Sequence, residues 1–276
     1  MGTFVGHALP GSLFLIVSFW WAADVLNYYY RNVAKRKSAN LSTSDMKLDF
    51  SSCHGKLGQG LFVVSLTVVG MVGEYLTAFD KGPVMCKDNL QHMSMYLFFF
   101  FFGLSYLFSY CGASLPLDAP YFTLVLSFFG ETLLFFFHLH GRSHLDIHVH
   151  TLLIVVTSLC TLCTCFEWLH KRSVLAALGR PFWCCVQGTW FWQVGFILYN
   201  PLPNAKKWDE HNHEQIMVIT SMFCWHIIAA LIWFTFLCFR YSRKYKNIWS
   251  VTHTQEATSS KYQQLKIEDD SSVMSD

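Results

Sequence analysis

Charge is what this sequence has least of. Only 14% of its 276 residues are Asp, Glu, Lys or Arg, against about 25% in soluble domains, so much of the chain does not face water. The net charge is +2, and the basic residues sit in loops rather than in one stripe, which excludes a nucleic-acid surface. Met1 to Gly11 holds no Lys or Arg. It therefore lacks the basic region of a cleaved signal peptide, and the first apolar segment is expected to stay as a span. Myristoylation at Gly2 wants Ser or Thr where Gly6 stands. No internal repeat and no His-Glu-x-x-His motif is present. The ten cysteines do not read as a disulfide framework, because most lie in or beside apolar runs. Cys160-x-x-Cys163 sits among Leu and Val and is expected to pack as small hydrophobes. Cys86 alone is expected to be plainly exposed to an oxidising lumen, while Cys184, Cys185 and Cys238 fall where palmitoylation would act.

What is present is apolar and aromatic: 53% hydrophobic residues, with 26 Phe and 10 Trp. A membrane span needs about 20 mostly apolar residues. Seven such segments occur: Ala8 to Tyr28, Leu57 to Phe79, His92 to Cys111, Ala119 to Leu139, His150 to Trp168, Pro181 to Pro201, and Ile216 to Phe239. The expected fold is an all-α bundle of seven transmembrane helices over residues 1–240, followed by a disordered tail over 241–276. Pro10 with Gly11, Gly112, and Gly179-Arg180-Pro181 are expected to punctuate the helices.

Positive charge sets the direction. Lys and Arg concentrate between the first two segments, after the fifth and after the seventh, while the opposite loops hold only Lys81, Lys87, Arg142, Lys206 and Lys207. The N-terminus is expected to be lumenal or extracellular and the C-terminus cytosolic. Asn40-Leu41-Ser42, a glycosylation acceptor by sequence, should then remain bare.

Against this frame the polar residues stand out. Glu74, His92, Glu131, His138, His150 and His226 lie in or beside apolar segments, where an ionisable side chain costs ~2.5–3.5 kcal/mol near the midplane and needs a partner, a cavity or a function. His138 and His150 bracket a stretch with five His and one Asp in thirteen positions. Within it His144 and His148, like Asp146 and His150, are spaced to share a helix face. Ten of the thirteen histidines fall on the non-cytosolic half; His54, His170 and His253 do not.

Imidazole and carboxylate are ordinary ligands of zinc and non-haem iron. One expectation is therefore a metal centre of His92, His138 and His150, with Glu74 or Glu131 as base or fourth ligand and Asp146 orienting His150. A structural polar network between helices, with His140, His144 and His148 in a wet loop, is a second. A proton-linked switch is a third. In Gln187-Gly188-Thr189-Trp190-Phe191-Trp192-Gln193 the two amides lie on partly different faces, Gly188 permits close helix approach, and the tryptophans read as packing. Glu167 beside Trp168 reads as a boundary residue. In the tail, Tyr262-Gln-Gln-Leu265 has the form that clathrin adaptors bind, and it precedes an acidic, serine-bearing end.

Gly6-His7-Ala8-Leu9-Pro10-Gly11, Gln91-His92 leading into Met95-Tyr96-Leu97, His138-x-His140-Gly-Arg with Asp146 and His150, the string Gln187 to Phe196, and Phe223-Cys224-Trp225-His226 together resemble the transmembrane protein 45 family. That resemblance implies a multi-pass protein of Golgi, trans-Golgi, endosomal and lysosomal membranes, linked to trafficking or antiviral innate defence, with no established enzymatic activity. It contains His7, His92, His138, Asp146, His150, Gln187, Gln193 and His226. The alternative function is a zinc- or iron-dependent membrane hydrolase or oxygenase acting on a lipid, like the seven-span ceramidases only in general plan. Membrane lipid is the expected partner. No G-protein-coupling motif or inverted repeat supports a receptor or transporter.

Overall fold

Where apolar runs leave water, a backbone must satisfy its own hydrogen bonds, and helices do so within one segment. A computed structural model shows that outcome, describing residues 3–39, 41–43, 46–53, 57–79, 85–139, 141–204, 208–209 and 212–273, with side chains up to Lys246. Among these residues there are seven α-helices and no strand: α1 Phe4–Ser38, α2 Leu57–Thr77, α3 Lys87–Tyr110, α4 Ala119–Phe137, α5 His144–Leu169, α6 Val174–Leu198 and α7 His213–Val273. Asn40, His54 and His140 lie outside the described residues.

Six of the helices, all but α6, are long and apolar enough to cross a membrane. The exception has a physical reason. α6 carries Arg180, Gln187, Gln193 and three tryptophans, yet 14 of its 25 residues are buried. A helix surrounded by protein has no need of an all-apolar surface. Other helices carry that surface instead, with Val69, Leu76, Phe136 and Trp225 all exposed.

Two helix boundaries differ from the sequence expectation for local reasons. α6 begins at Val174 rather than Pro181, because the Ser173 hydroxyl caps it by accepting from Ala176 N at 3.2 Å. Gly179-Arg180-Pro181 is thus inside the helix, not a break before it. α5 begins at His144, with Ser143 accepting from Asp146 N at 3.4 Å, so His144 and His148 stand on a helix rather than in a loop. α7 runs from His213 to Val273. No Gly or Pro interrupts it from His213 onward. Tyr262 and Leu265 lie on this stretch, but their side chains are outside those described.

The chain divides into two units, residues 1–25 with 48–232 and residues 26–47 with 233–276. In the second, Tyr245 donates to Asn27 Oδ1 at 3.2 Å. In the first, α2 packs on α3, α3 on α4, α4 on α5 and α5 on α6. α1 lies backbone to backbone against α6 where two glycines cross. A Cβ on Gly11 would stand 2.8 Å from the Gly188 carbonyl, and one on Gly188 would stand 2.8 Å from the Gly11 carbonyl. Along the same seam Trp192 Nε1 donates to Ser12 Oγ at 3.1 Å and Ser18 Oγ donates to the Pro181 carbonyl at 2.7 Å.

The seam ends on a buried ion pair. Arg180 Nε donates to Glu167 Oε2 at 2.7 Å, both side chains are at most 1% exposed, and the guanidinium lies 3.9 Å from the centre of the Trp21 ring. Glu167 is therefore not a boundary residue and Arg180 not a loop cation; each neutralises the other inside the protein. Cys184 and Cys185 are buried too, which corrects the expectation of acylation there, and Cys86 is half-buried rather than plainly exposed. All nine described cysteines are free thiols. On the same side of the unit Lys171 pairs with Asp118 and holds that carboxyl below its usual range by hydrogen bonding.

Breaking the buried pair from one side strands a charge. Glu167→Gln is expected to cost ~3–5 kcal/mol, while Glu167→Leu with Arg180→Met recovers most of the loss; thermal unfolding in detergent compares them. Gly188→Val is expected to lose ~1–3 kcal/mol by overpacking, whereas Gly73→Ala, with nothing within 4 Å of its Cβ position, stays near wild type in the same assay.

Candidate functional site

Six helices of the first unit end around one cavity of about 530 Å³. α1 brings His7, α2 Glu74, α3 Asp88, Asn89 and His92, the end of α4 His138, the following turn Arg142, α5 His150 and α6 Phe191. Four histidines that are far apart in sequence thus line one space. Their rings form a chain: His7 to His150 at 5.9 Å, His150 to His138 at 6.3 Å and His138 to His92 at 6.4 Å between centroids.

Each imidazole is oriented through Nδ1. His7 donates to the Thr3 carbonyl at 2.9 Å and His92 to Glu74 Oε1 at 3.0 Å. His138 donates to Gln91 Oε1. His150 donates to Asp146, at 2.7 Å to Oδ1 and 2.9 Å to the carbonyl. In the neutral ring a proton fixed on Nδ1 leaves the lone pair on Nε2. At His138 that lone pair meets the Arg142 guanidinium. Arg142 Nη1 also donates to both carboxylate oxygens of Asp146, at 3.0 and 2.9 Å, and its Nε donates to the His138 carbonyl at 2.9 Å. Glu74 is further held by Asn89 Nδ2, which donates to Oε2 at 2.8 Å.

Glu131 lies deeper. It is fully buried, and its Oε1 accepts from Gln187 Nε2 at 2.8 Å. Gln187 Oε1 in turn faces Cys160 Sγ at 3.3 Å. The Glu131 side chain borders a small side pocket of about 20 Å³ that shares His92, Met95, Phe135 and His138 with the main cavity. Gln193 is half-buried on α6 and does not line the cavity. His226 is also elsewhere, edge-on to Trp190 at 5.5 Å. His148 bonds Thr220 at 2.8 Å and ties α5 to α7.

The placement of these side chains gives the expected metal centre of His92, His138 and His150 no support. Among the described residues no three or more of His, Cys, Asp and Glu are placed to hold one ion. His92, His138 and His150 do converge, but Arg142 puts a cation on the nitrogen of His138 that would ligate, and Asp146 is shared between Arg142 and His150. A guanidinium in the ligand sphere opposes a divalent cation directly.

Sequence reading passed over Arg142, Asn89 and Gln91. Arg142 had a visible signal: His138, Arg142, Asp146 and His150 recur at intervals of four, the spacing of side chains that meet along a helix.

Residues 119–239 match a family model described as a family of unknown function (DUF716). Curated relatives share the name transmembrane epididymal protein. Transmembrane epididymal protein 1 of Homo sapiens is 32% identical over 131 residues, which is 44% of this chain and 48% of that protein. The protein of that name from Rattus norvegicus is 26% identical over 243 residues, and transmembrane epididymal protein 1A of Mus musculus 25% over 246. Each of these alignments covers 83% of this chain and 77% of the relative. The chain thus spans about half the length of the human relative. These matches correct the resemblance to the transmembrane protein 45 family, and the antiviral expectation that rested on it loses its support. The matched stretch carries Glu131, His138, Arg142, Asp146, His150 and Gln187; His7, Glu74 and His92 lie before it.

Chelation is expected to leave the unfolding temperature unchanged. Stoichiometric zinc or iron in purified protein, lost when His92→Ala and His138→Ala are combined, would reinstate the metal centre. Asp146→Asn removes the charge that Arg142 and His150 share, and is expected to cost ~1.5–3 kcal/mol in the unfolding assay.

Proposed function

We propose that this chain is a seven-span membrane protein that receives the polar head of a membrane amphiphile in its cavity from the non-cytosolic leaflet. One observation carries this reading. The cavity of about 530 Å³ lies beside a slot of about 80 Å³ lined by apolar side chains of α1, α2 and α3, and Pro10, Met95 and Tyr96 wall both. A chamber with polar side chains next to an apolar one matches an amphiphile better than a water-soluble solute.

Counting α6 as the seventh span is supported by its length of 25 residues and by its packing between α5 and α1, since a helix shielded by neighbours tolerates polar residues at membrane depth. The distribution of Lys and Arg supports an outer N-terminus and a cytosolic C-terminus, which puts the His-lined end on the non-cytosolic side. Residence in Golgi, endosomal and lysosomal membranes, with a part in their traffic, is supported by Tyr262-Gln-Gln-Leu265 on the cytosolic side, where a clathrin adaptor would meet it. The hydrolase or oxygenase reading needs a metal centre that the described residues do not build.

Met95 borders the cavity, the slot and the side pocket alike. Met95→Trp is expected to fill the junction and remove co-purifying lipid in native mass spectrometry; lipid retained at wild-type level refutes the reading. A glycosylation acceptor fused to the N-terminus should be modified while Asn40 stays bare, and the reverse pattern would invert the topology. Tyr262→Ala should shift the protein towards the cell surface, and an unchanged distribution would remove the sorting role.

A further inference from the structure

The cavity offers acceptors and few donors. His7, His92 and His150 each commit Nδ1–H to a protein oxygen, so in the neutral ring each has a lone pair on Nε2 to offer. Glu131 is the sharper case. Its Oε2 is buried and has no hydrogen-bond partner among the described residues, which costs free energy unless a donor arrives. That carboxyl borders the side pocket of about 20 Å³, the scale of a single water-sized group. Glu74 and Asp88 add carboxylates to the main wall, and Arg142 Nη1 is held by both carboxylate oxygens of Asp146.

A guest for such a lining must bring N–H donors and positive charge. A bare metal ion also seeks acceptors, but no suitable ligand group exists among the described residues. A primary ammonium is water-sized and carries three donors. The apolar slot says what hangs from it. Leu13, Phe14, Val17, Leu66 and Phe99 line that slot, and its Thr67 hydroxyl is spent on the Val63 carbonyl of its own helix at 2.8 Å.

We propose that the cavity binds a single-chain amphiphile with a primary ammonium head, the head at Glu131 and the chain in the slot between α1, α2 and α3. This rests on the amphiphile reading above and names its ligand class. No covalent step is involved.

The full-length protein in nanodiscs of zwitterionic lipid, with empty discs as reference, tests it by calorimetric titration. Dodecylamine is expected to bind and raise the unfolding temperature. Dodecyltrimethylammonium, with the same charge but no N–H, and butylamine, with only a four-carbon chain, are each expected to bind at least about tenfold more weakly. Glu131→Gln should weaken dodecylamine by at least about tenfold, and His92→Phe, which removes an acceptor beside the same pocket, repeats the test should the first variant not fold. Equal binding of the amine and its trimethyl analogue, or no loss in either variant, overturns the proposal. If all long-chain compounds bind alike and Met95→Trp abolishes them together, the ammonium head is refuted while the amphiphile reading stands. If no long-chain compound binds, both fall.

Discussion

Two backbones touch where Gly11 of α1 meets Gly188 of α6, and the unit is built outward from that contact. Without side chains between them the helices come close enough for Ser12 to reach Trp192 and Ser18 to reach Pro181. The same closeness lays Trp21 on the Arg180 guanidinium and so helps cover a charge that would otherwise be stranded away from water. At the other end of the seam it brings His7 beside His150. One steric permission thus serves both the ion pair and the cavity.

The two polar centres solve the problem of charge without water in opposite ways. Arg180 and Glu167 neutralise each other and are almost fully buried. The cavity residues are instead oriented from behind. Thr3, Glu74, Gln91 and Asp146 each hold an Nδ1–H, and at His138 the opposite nitrogen is taken by Arg142. That division separates a structural ion pair from a binding surface more clearly than burial does, because Glu131 and Glu167 are equally buried. What distinguishes them is an oxygen left without a donor.

Helix existence was legible because the signal is long: apolar stretches of twenty residues leave little freedom. Helix starts were less so. Ser143 and Ser173 cap α5 and α6 earlier than the apolar runs begin, since a helix start follows its capping hydroxyl rather than hydropathy. The site was legible in part. Polar residues at membrane depth picked out Glu74, Glu131, His92, His138 and His150 with no knowledge of contacts. Gln193 and His226 satisfied the same criterion and proved to lie elsewhere, because depth fixes a residue's height in a bundle but not its azimuth. Arg142 was read as a loop charge, and Arg180 as a loop charge within a helix-punctuating triplet.

By itself the sequence determined an all-helical, apolar chain in which a handful of ionisable side chains must find company, because solvation cost depends on residue type alone. Which company each one finds was decided by tertiary structure. The glycine crossing set the distance between α1 and α6, and the capped turn after α4 delivered a guanidinium to His138. The way six helix ends converge made one set of imidazoles into a cavity wall. Those outcomes depend on distances between segments far apart in the chain, and no local pattern encodes them.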